Sequence, residues 1–326
     1  MPELRCYDSI LDVIGHTPMV RLNHVTAELP CPVYAKLEFL NPMGSSKDRI
    51  AKYLIECAER DGRIKPGDVI LENSSGNTAM GLALTAIQKG YRLKAVVRDR
   101  TSKEKLDLLA SLGVDLVKAD TSLPPEHPDS YNNLAPRLAR ETPHCYFPDQ
   151  HNNRENNEAH YRSTGPEVWQ QMDGRIDVFL AGMGTGGTIG GVGRYLKERN
   201  PKVRIVAVDV EGSVFTPYFR TGEAGTSSPY LLEGLGDEFI IGCAEFEVID
   251  EMVQVTDREA FLAARELARR EGILVGGSSG AVLHALRKIA PTLGREARVA
   301  ILFPDSASRY LSTIFNDDWM REKGML

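Results

Sequence analysis

Residues 178–192 read VFLAGMGTGGTIGGV. A β-branched and aromatic run passes into closely spaced glycines and then into a segment of helical period. Strand, glycine turn and helix in that order are the unit from which parallel sheets are built. Glycine at this density lets backbone come close to something, and at the mouth of a helix a phosphate is the common occupant. Gly182-x-Gly184-x-x-Gly187 fits the dinucleotide fingerprint, with Asp209 about twenty residues further on in the place of a ribose-binding acid. A single phosphate suits the same loop equally well. The stretch therefore decides the kind of fold and leaves the ligand open.

On either side the alternation continues. Residues 33–40 (VYAKLEFL), 69–73 (VILEN), 93–98, 114–119, 176–182, 203–210 and 297–305 read as strands. Helical period runs through 48–62, 78–90, 102–113, 164–172, 190–200, 257–272 and 281–290. This spacing predicts parallel sheets covered by helices on both faces. Segment 121–160, rich in proline and asparagine, breaks the rhythm and is expected to hold a domain crossing. Segment 211–256 is also irregular, as a loop-rich flap over a site would be.

The 326 residues suffice for about two domains. Hydrophobic content of 42% and charged content of 26% are those of an ordinary globular protein. A net charge of -6 without a dense basic block argues against nucleic acid or an anionic membrane as partner. No signal peptide is read at MPELRCYDSI, and no apolar run approaches the ~18 residues of a membrane span. Cys6, Cys31, Cys57, Cys145 and Cys243 are scattered, with no C-x-x-C pair, which speaks against disulfides and structural zinc. The expected location is the cytoplasm.

Three further turns stand at expected strand-to-helix junctions, where open α/β sheets bind their ligands. NPMGSSKDR (41–49) places Lys47 at the opening of a helix. Partial desolvation and the positive helix end both lower a lysine's pKa, as an amine that must form a Schiff base requires. The plainer reading is a solvated first-turn lysine. ENSSGNTA (72–79) gathers Ser74, Ser75, Asn77 and Thr78 on one turn, suited to a carboxylate or simply to capping a helix. GILVGGSSGA (272–281) repeats strand, glycines, hydroxyls and helix, and on its own is equally a packing turn. Turns of this kind are common singly, but the four in this order are not.

That order resembles the cysteine synthase/cystathionine β-synthase family, the fold-type-II pyridoxal-phosphate enzymes. The resemblance runs from SILDVIGHTPMVRLN (9–23) through AKLEFLNPMGSSKDR, SSGNTAMGLAL, FPDQHNN, GMGTGGTIGG, VDVEGS, EGLGDEF and GGSSGAV to LFPDSASRYLSTIFNDDWM. EGLGDEF and FNDDWMREKG are similar to the cystathionine β-synthase branch, and to its bacterial O-acetylserine-dependent members. The resemblance implies two doubly wound, mostly parallel α/β domains of the tryptophan synthase β type, with the active site in the cleft between them. Residues 1–40 with 149–326 would form the larger, phosphate-binding domain, and 41–148 a smaller, mobile substrate domain.

The family also implies roles. Lys47 would carry the cofactor, pyridoxal 5'-phosphate, and act as catalytic base. Asn77 would bind the cofactor's 3′ oxygen and the substrate. Gly184, Thr185, Gly186, Gly187 and Thr188 would wrap the phosphate, and Ser278 would face the pyridine nitrogen. Ser74, Ser75, Thr78, Gln150 and Gly234 would bind substrate. A hydroxyl opposite that nitrogen, in place of a carboxylate, leaves the ring a milder electron sink, which favours β-elimination. No metal is needed. The implied reaction is β-replacement on O-acetylserine or serine through 2-aminoacrylate. The acceptor is a thiol, homocysteine giving cystathionine, or sulfide giving cysteine. A homodimer is the family's expectation.

Met43, Asn73, Ala79 and Arg98 depart from the family pattern. Met43 and Ala79 would add bulk near cofactor or substrate. Arg98 and Arg100 would supply charge for an anionic substrate, unless they are surface arginines. These departures keep an amine acceptor, as in a diaminopropionate-type synthase, in view. An NAD-dependent oxidoreductase reading Gly182, Gly184 and Gly187 with Asp209 is the alternative of another class, and it leaves Lys47 and both hydroxyl turns unexplained. A catalytically silent binding protein is disfavoured by the intact lysine, Asn77 and Ser278.

Overall fold

Strands and helices alternate in the computed structural model, which describes residues 6–124 and 126–326. The first five residues, part of the stretch read as lacking a signal peptide, lie outside the described residues, as does Pro125. The chain divides into two units. One runs to His16 and resumes over Leu40–Asp149; the other comprises Thr17–Phe39 and Gln150–Leu326.

The larger unit begins with β1 (Met19–Arg21) and β2 (Val33–Leu37). The smaller unit then carries α1 (Lys47–Arg60), β3 (Val69–Asn73), α2 (Asn77–Lys89), β4 (Arg92–Arg98), α3 (Lys103–Ser111), β5 (Asp115–Ala119), α4 (Tyr131–Glu141) and β6 (Cys145–Tyr146). Its strands are parallel, in the order β5-β4-β3-β6. Every residue of β3 is buried, as befits a central strand covered on both faces. Ile55, Ala79, Leu82 and Val97 form the core on one side, while Leu71, Val96 and Leu134 pack on the other. α2 stops where Gly90 turns left-handed at φ 75° and its N–H donates to Ala86 O.

The larger unit continues with α5 (Glu155–Arg162), α6 (Thr164–Gln171), β7 (Val178–Gly182), α7 (Gly187–Arg199), β8 (Arg204–Val210) and α8 (Phe215–Thr221). It is completed by β9 (Glu251–Val255), α9 (Asp257–Glu266), α10 (Gly277–Ile289), β10 (Val299–Phe303) and α11 (Asp317–Glu322). Sheet order is β1-β2-β10-β7-β8-β9, parallel except for β1, which pairs antiparallel with β2. Alternate side chains feed two cores. Val299, Ile301 and Phe303 join the layer of α9 and α10, while Ala300 and Leu302 join Phe179, Ile189 and Val192 on the other face. Two doubly wound, mostly parallel α/β sheets are therefore the observed architecture.

Several details differ from the sequence reading. Residues 6–16, assigned to the larger domain, are held by the smaller unit instead. Lys52 Nζ donates to Leu11 O at 3.0 Å and Gly15 N to Asn41 Oδ1 at 2.8 Å. Segment 121–160 contains α4, whose Pro136 hides a helical pattern that buries Leu134 and Ala135. Segment 211–256 contains α8 and the strand β9, which pairs with β8. Among the described residues no strand leads directly into Gly276; only an isolated antiparallel bridge joins Val275 to Ser306. Beyond α9 the helix widens into a π turn over Leu267–Glu271 before Gly272 ends it. No helix among the described residues is long and apolar enough to cross a membrane.

Candidate active site

The expected site residues fall into two groups, one on each unit. On the smaller unit, Lys47 is the first residue of α1 and is half-buried. Its N–H donates to Ser45 Oγ at 3.2 Å, and Met43 N donates to Asp48 Oδ2 at 2.6 Å, closing the turn before the helix. α2 packs directly on this corner. A methyl group in place of the Gly81 hydrogen would lie 2.9 Å from Lys47 O and 3.1 Å from Ala51 Cβ. Gly81 is one turn into α2, so the openings of α1 and α2 lie side by side. The structure thereby brings Lys47 together with the hydroxyl turn.

Within that turn Ser74 is a capping residue. Its Oγ accepts from Ala79 N at 3.2 Å and Gly76 N at 3.4 Å, which holds the turn shut. The hydroxyl still has its hydrogen to donate, as the expected binding role would require. Ser75 is half-buried, and Thr78 is buried at the start of α2. The capping role and the binding role of the turn are therefore compatible. Of the departures from the family pattern, Ala79 is wholly buried in the core and Met43 packs against that core. Arg98 is exposed, and its guanidinium lies 4.7 Å over the Tyr131 ring.

On the larger unit, Gly184–Thr188 runs from the end of β7 into α7. Gly186 is the N-cap, left-handed at φ 81°, a conformation that glycine adopts without strain. Its place admits no side chain either, since a methyl there would lie 2.6 Å from Cys243 O. Gly184 lies against Gly234 O, and Gly187 against the Asn156 side chain. At Gly191 a methyl would meet the backbone of Asn157 and lie 2.9 Å from His160 Cβ. Most of these glycines are thus required by protein packing: they let α5 and the 234–243 loop come against α7 and fix the shape of the cup. The first N–H groups of α7 remain without an intrahelical partner, at the positive end of the helix.

Gly234 is exposed, with φ 84°, and Gly236 N donates to Met183 O at 2.9 Å, tying the 234–236 loop to the end of β7. Gln150 is buried, and its carbonyl accepts from Asn156 Nδ2 at 2.8 Å. Ser278 is only 5% exposed, and its hydroxyl has no hydrogen-bond partner among the described residues. Gly276, just ahead of it, is pinned by its N–H to Asp305 O at 3.2 Å, while Tyr310 donates to Asp305 Oδ2 at 2.7 Å behind the turn.

Asp209, the acid a dinucleotide would need, is wholly buried in β8. Its Oδ2 accepts from Thr216 N at 2.9 Å and Thr216 Oγ1 at 2.7 Å, capping the approach to α8. Burial pushes its carboxyl pKa up, against hydrogen bonds from Thr216 and Ser213. A carboxyl so enclosed does not reach a ribose. On the larger unit, backbone donors and threonine hydroxyls at the opening of α7 suit a phosphate, and the enclosed Ser278 hydroxyl has no partner among the described residues. On the smaller unit, Lys47 opens its helix as an aldehyde-binding amine would, so each group of residues by itself fits pyridoxal phosphate. Reasoning from sequence missed Asn156, His160 and Thr164, which support the cup from α5 and the start of α6. Asn156 and His160 are four apart, the spacing that puts two side chains on one helical face.

The comparisons agree. Residues 10–305 match the family model described as "Pyridoxal-phosphate dependent enzyme". Cystathionine beta-synthase of Apis mellifera is 42% identical over 320 residues, which are 97% of this chain and 63% of that protein. The chain thus spans somewhat under two thirds of the length of the animal relatives it matches. Cysteine synthase of Staphylococcus aureus (strain N315) is 44% identical over 308 residues, covering 94% of this chain and 96% of that protein. The solved O-acetylserine dependent cystathionine beta-synthase from Helicobacter pylori superposes with a TM-score of 0.87 at 37% identity, covering 95% of this chain and 99% of its own. The match along residues 10–305 and the identity to these relatives place the chain among the pyridoxal-phosphate dependent enzymes, as a relative of cystathionine beta-synthase and cysteine synthase.

Proposed function

We propose that the protein catalyses β-replacement on O-acetylserine or serine, with homocysteine as the thiol acceptor and cystathionine as the product. One observation carries the choice of acceptor. The two segments that resemble the cystathionine β-synthase branch meet in this fold. Glu233 of the first and Trp319 of the second line one cavity of about 40 Å³ together with Leu232, Phe261 and Ile314, and Gly277, one residue from Ser278, forms part of its wall. The near end-to-end likeness to the Helicobacter pylori enzyme supports the same reading.

When bound, pyridoxal phosphate supplies an electron sink that acidifies the substrate's α-proton and lets the β-substituent depart. The residues of the chain do the rest. The N–H groups opening α7, with Thr185 and Thr188, hold the phosphate. Ser278 donates or accepts opposite the pyridine nitrogen. Ser74, Ser75 and Thr78 donate to the substrate carboxylate, with Gln150 and Gly234 completing its surroundings, and Asn77 orients the 3′ oxygen. The Lys47 amine takes the α-proton, holds it, and returns it after the acceptor has added. Exchange of leaving group for acceptor at one site gives ping-pong kinetics.

Purified protein should show the visible absorbance of lysine-held pyridoxal phosphate, lost in Lys47→Ala. O-acetylserine and serine, each offered with homocysteine and separately with sulfide, decide the acceptor. A higher kcat/KM for cystathionine formation is expected. Faster turnover with sulfide would establish the second reading, a cysteine synthase, which the Staphylococcus aureus relative supports. A homodimer in the cytoplasm belongs to the same proposal, with light scattering as the check on assembly.

A further inference from the structure

His160 is 1% exposed on α5, beneath the phosphate cup. Its Nε2 lies 3.2 Å from Thr188 Oγ1 and its Nδ1 lies 2.9 Å from Thr164 Oγ1. Thr164 is wholly buried, and among the described residues neither threonine hydroxyl has another partner. A neutral imidazole has one donor and one acceptor nitrogen, so two proton arrangements are open. If Nδ1 carried the proton, Thr164 would accept it and its own O–H would be left buried with no acceptor. Thr188 would then spend its hydrogen on Nε2 and turn lone pairs toward the cup. With the proton on Nε2, Thr164 donates to Nδ1, Nε2–H donates to Thr188, and Thr188 keeps its hydrogen for whatever occupies the cup. Only this second arrangement satisfies the buried donor and faces an anion with a donor.

Asn156, one turn earlier on α5, does the same for Thr185. Its Nδ2 donates to Gln150 O at 2.8 Å, an acceptor only, which fixes the orientation of the amide. The same nitrogen donates to Thr185 Oγ1 at 3.1 Å, and Gly187 N approaches that oxygen at 3.5 Å. Thr185 therefore receives hydrogen bonds from the protein side and has its own hydrogen to give elsewhere.

We propose that α5 and Thr164 form a directed relay, Thr164 to His160 to Thr188, with Asn156 acting in parallel on Thr185, which turns both loop hydroxyls into donors toward the cofactor phosphate. Thr164, His160 and Asn156 are positioning residues, acting through the two threonines. The inference rests on the reading that residues 184–188 hold that phosphate.

The test compares wild type, Thr164→Val and Thr164→Ser, each stripped of cofactor and titrated with pyridoxal phosphate. Thr164→Val removes the donor to His160 with little change of shape and is expected to weaken binding about 3- to 10-fold, the worth of one hydrogen bond. Thr164→Ser restores it. The phosphorus resonance of the bound cofactor shifts in Thr164→Val and returns in Thr164→Ser. Nitrogen-15 spectra of the loaded wild type, which need no variant, should show a neutral His160 protonated at Nε2. A proton on Nδ1, a doubly protonated ring, or unchanged affinity in a folded Thr164→Val would overturn the relay. If those results came from a wild type that binds cofactor and turns over substrate, the relay alone would fall. A wild type that binds no pyridoxal phosphate would overturn the relay and the phosphate site with it.

Discussion

Lys36 Nζ and Glu167 Oε2 lie 2.6 Å apart, with the lysine side chain completely enclosed in β2. The same ammonium donates to Thr17 O at 2.6 Å and Gln171 Oε1 at 2.9 Å, so all three of its hydrogens are used. Three acceptors around one ammonium favour its charged form, whereas the role proposed for Lys47 needs an amine. Removing the acid strands a buried charge. Glu167→Ala is expected to cost about 3–5 kcal/mol in urea unfolding, and the double change Lys36→Met/Glu167→Leu much less. Equal losses in the two would show that packing, not charge, holds this corner.

The crossing of α5 and α7 should tolerate no added methyl. Gly191→Ala forces its methyl against the Asn157 backbone carbonyl and is expected to cost about 1–3 kcal/mol. Because α5 carries Asn156 and His160, affinity for pyridoxal phosphate should fall with it. Gly294→Ala, where nothing lies within 4 Å of the new methyl, is the control and should change neither quantity. Thermal unfolding and cofactor titration read both.

Asp209 gives a pH prediction. Burial raises its pKa in the folded chain above that in the unfolded chain. A raised acid holds its proton more tightly when folded, so its contribution to stability is greatest below the ordinary carboxylate range, about pH 4, and is lost as pH climbs through the raised value. Asp209→Asn has no such titration. The stability difference between variant and wild type should therefore move in the variant's favour as pH rises from about 4 to about 8. Urea midpoints at several pH values measure it, and a flat difference would contradict the assignment. Cofactor binding should persist in the variant, since no ribose is being read.

Arg98 should matter little to substrate. Stacked on Tyr131 and exposed, it is expected to contribute about 0.5–1 kcal/mol to stability. Arg98→Gln should leave KM for anionic amino acids unchanged. A several-fold rise in KM would return Arg98 to the role of substrate charge.

What could be read from the sequence was local. VILEN is the strand β3 at its expected bounds, and Gly90 ends α2 where its left-handed turn requires. Lys47 opens its helix, and Ser278 sits in the first turn of α10. What could not be read depended on partners far along the chain. The glycines of 182–191 looked like ligand glycines, yet Gly184 answers to Gly234, Gly186 to Cys243, and Gly187 and Gly191 to α5. α4 and α5 were passed over because Pro136 and the asparagines around 152–157 are poor helix formers, and tertiary packing overrode that preference. His160 gave no signal by itself, because its meaning comes from the threonines on either side.

The position of β10 has a consequence for the order in which the chain can fold. β10 lies between β2 and β7, so β2, made early in synthesis, waits for residues 299–303 before its free edge is paired. Until the ribosome has delivered Phe303, the larger unit has two strand groups with no strand to join them, the slow and aggregation-exposed situation of a long-range parallel sheet. The smaller unit's sheet is complete once Tyr146 has emerged. The first folded structure on the ribosome should therefore be the one that carries Lys47.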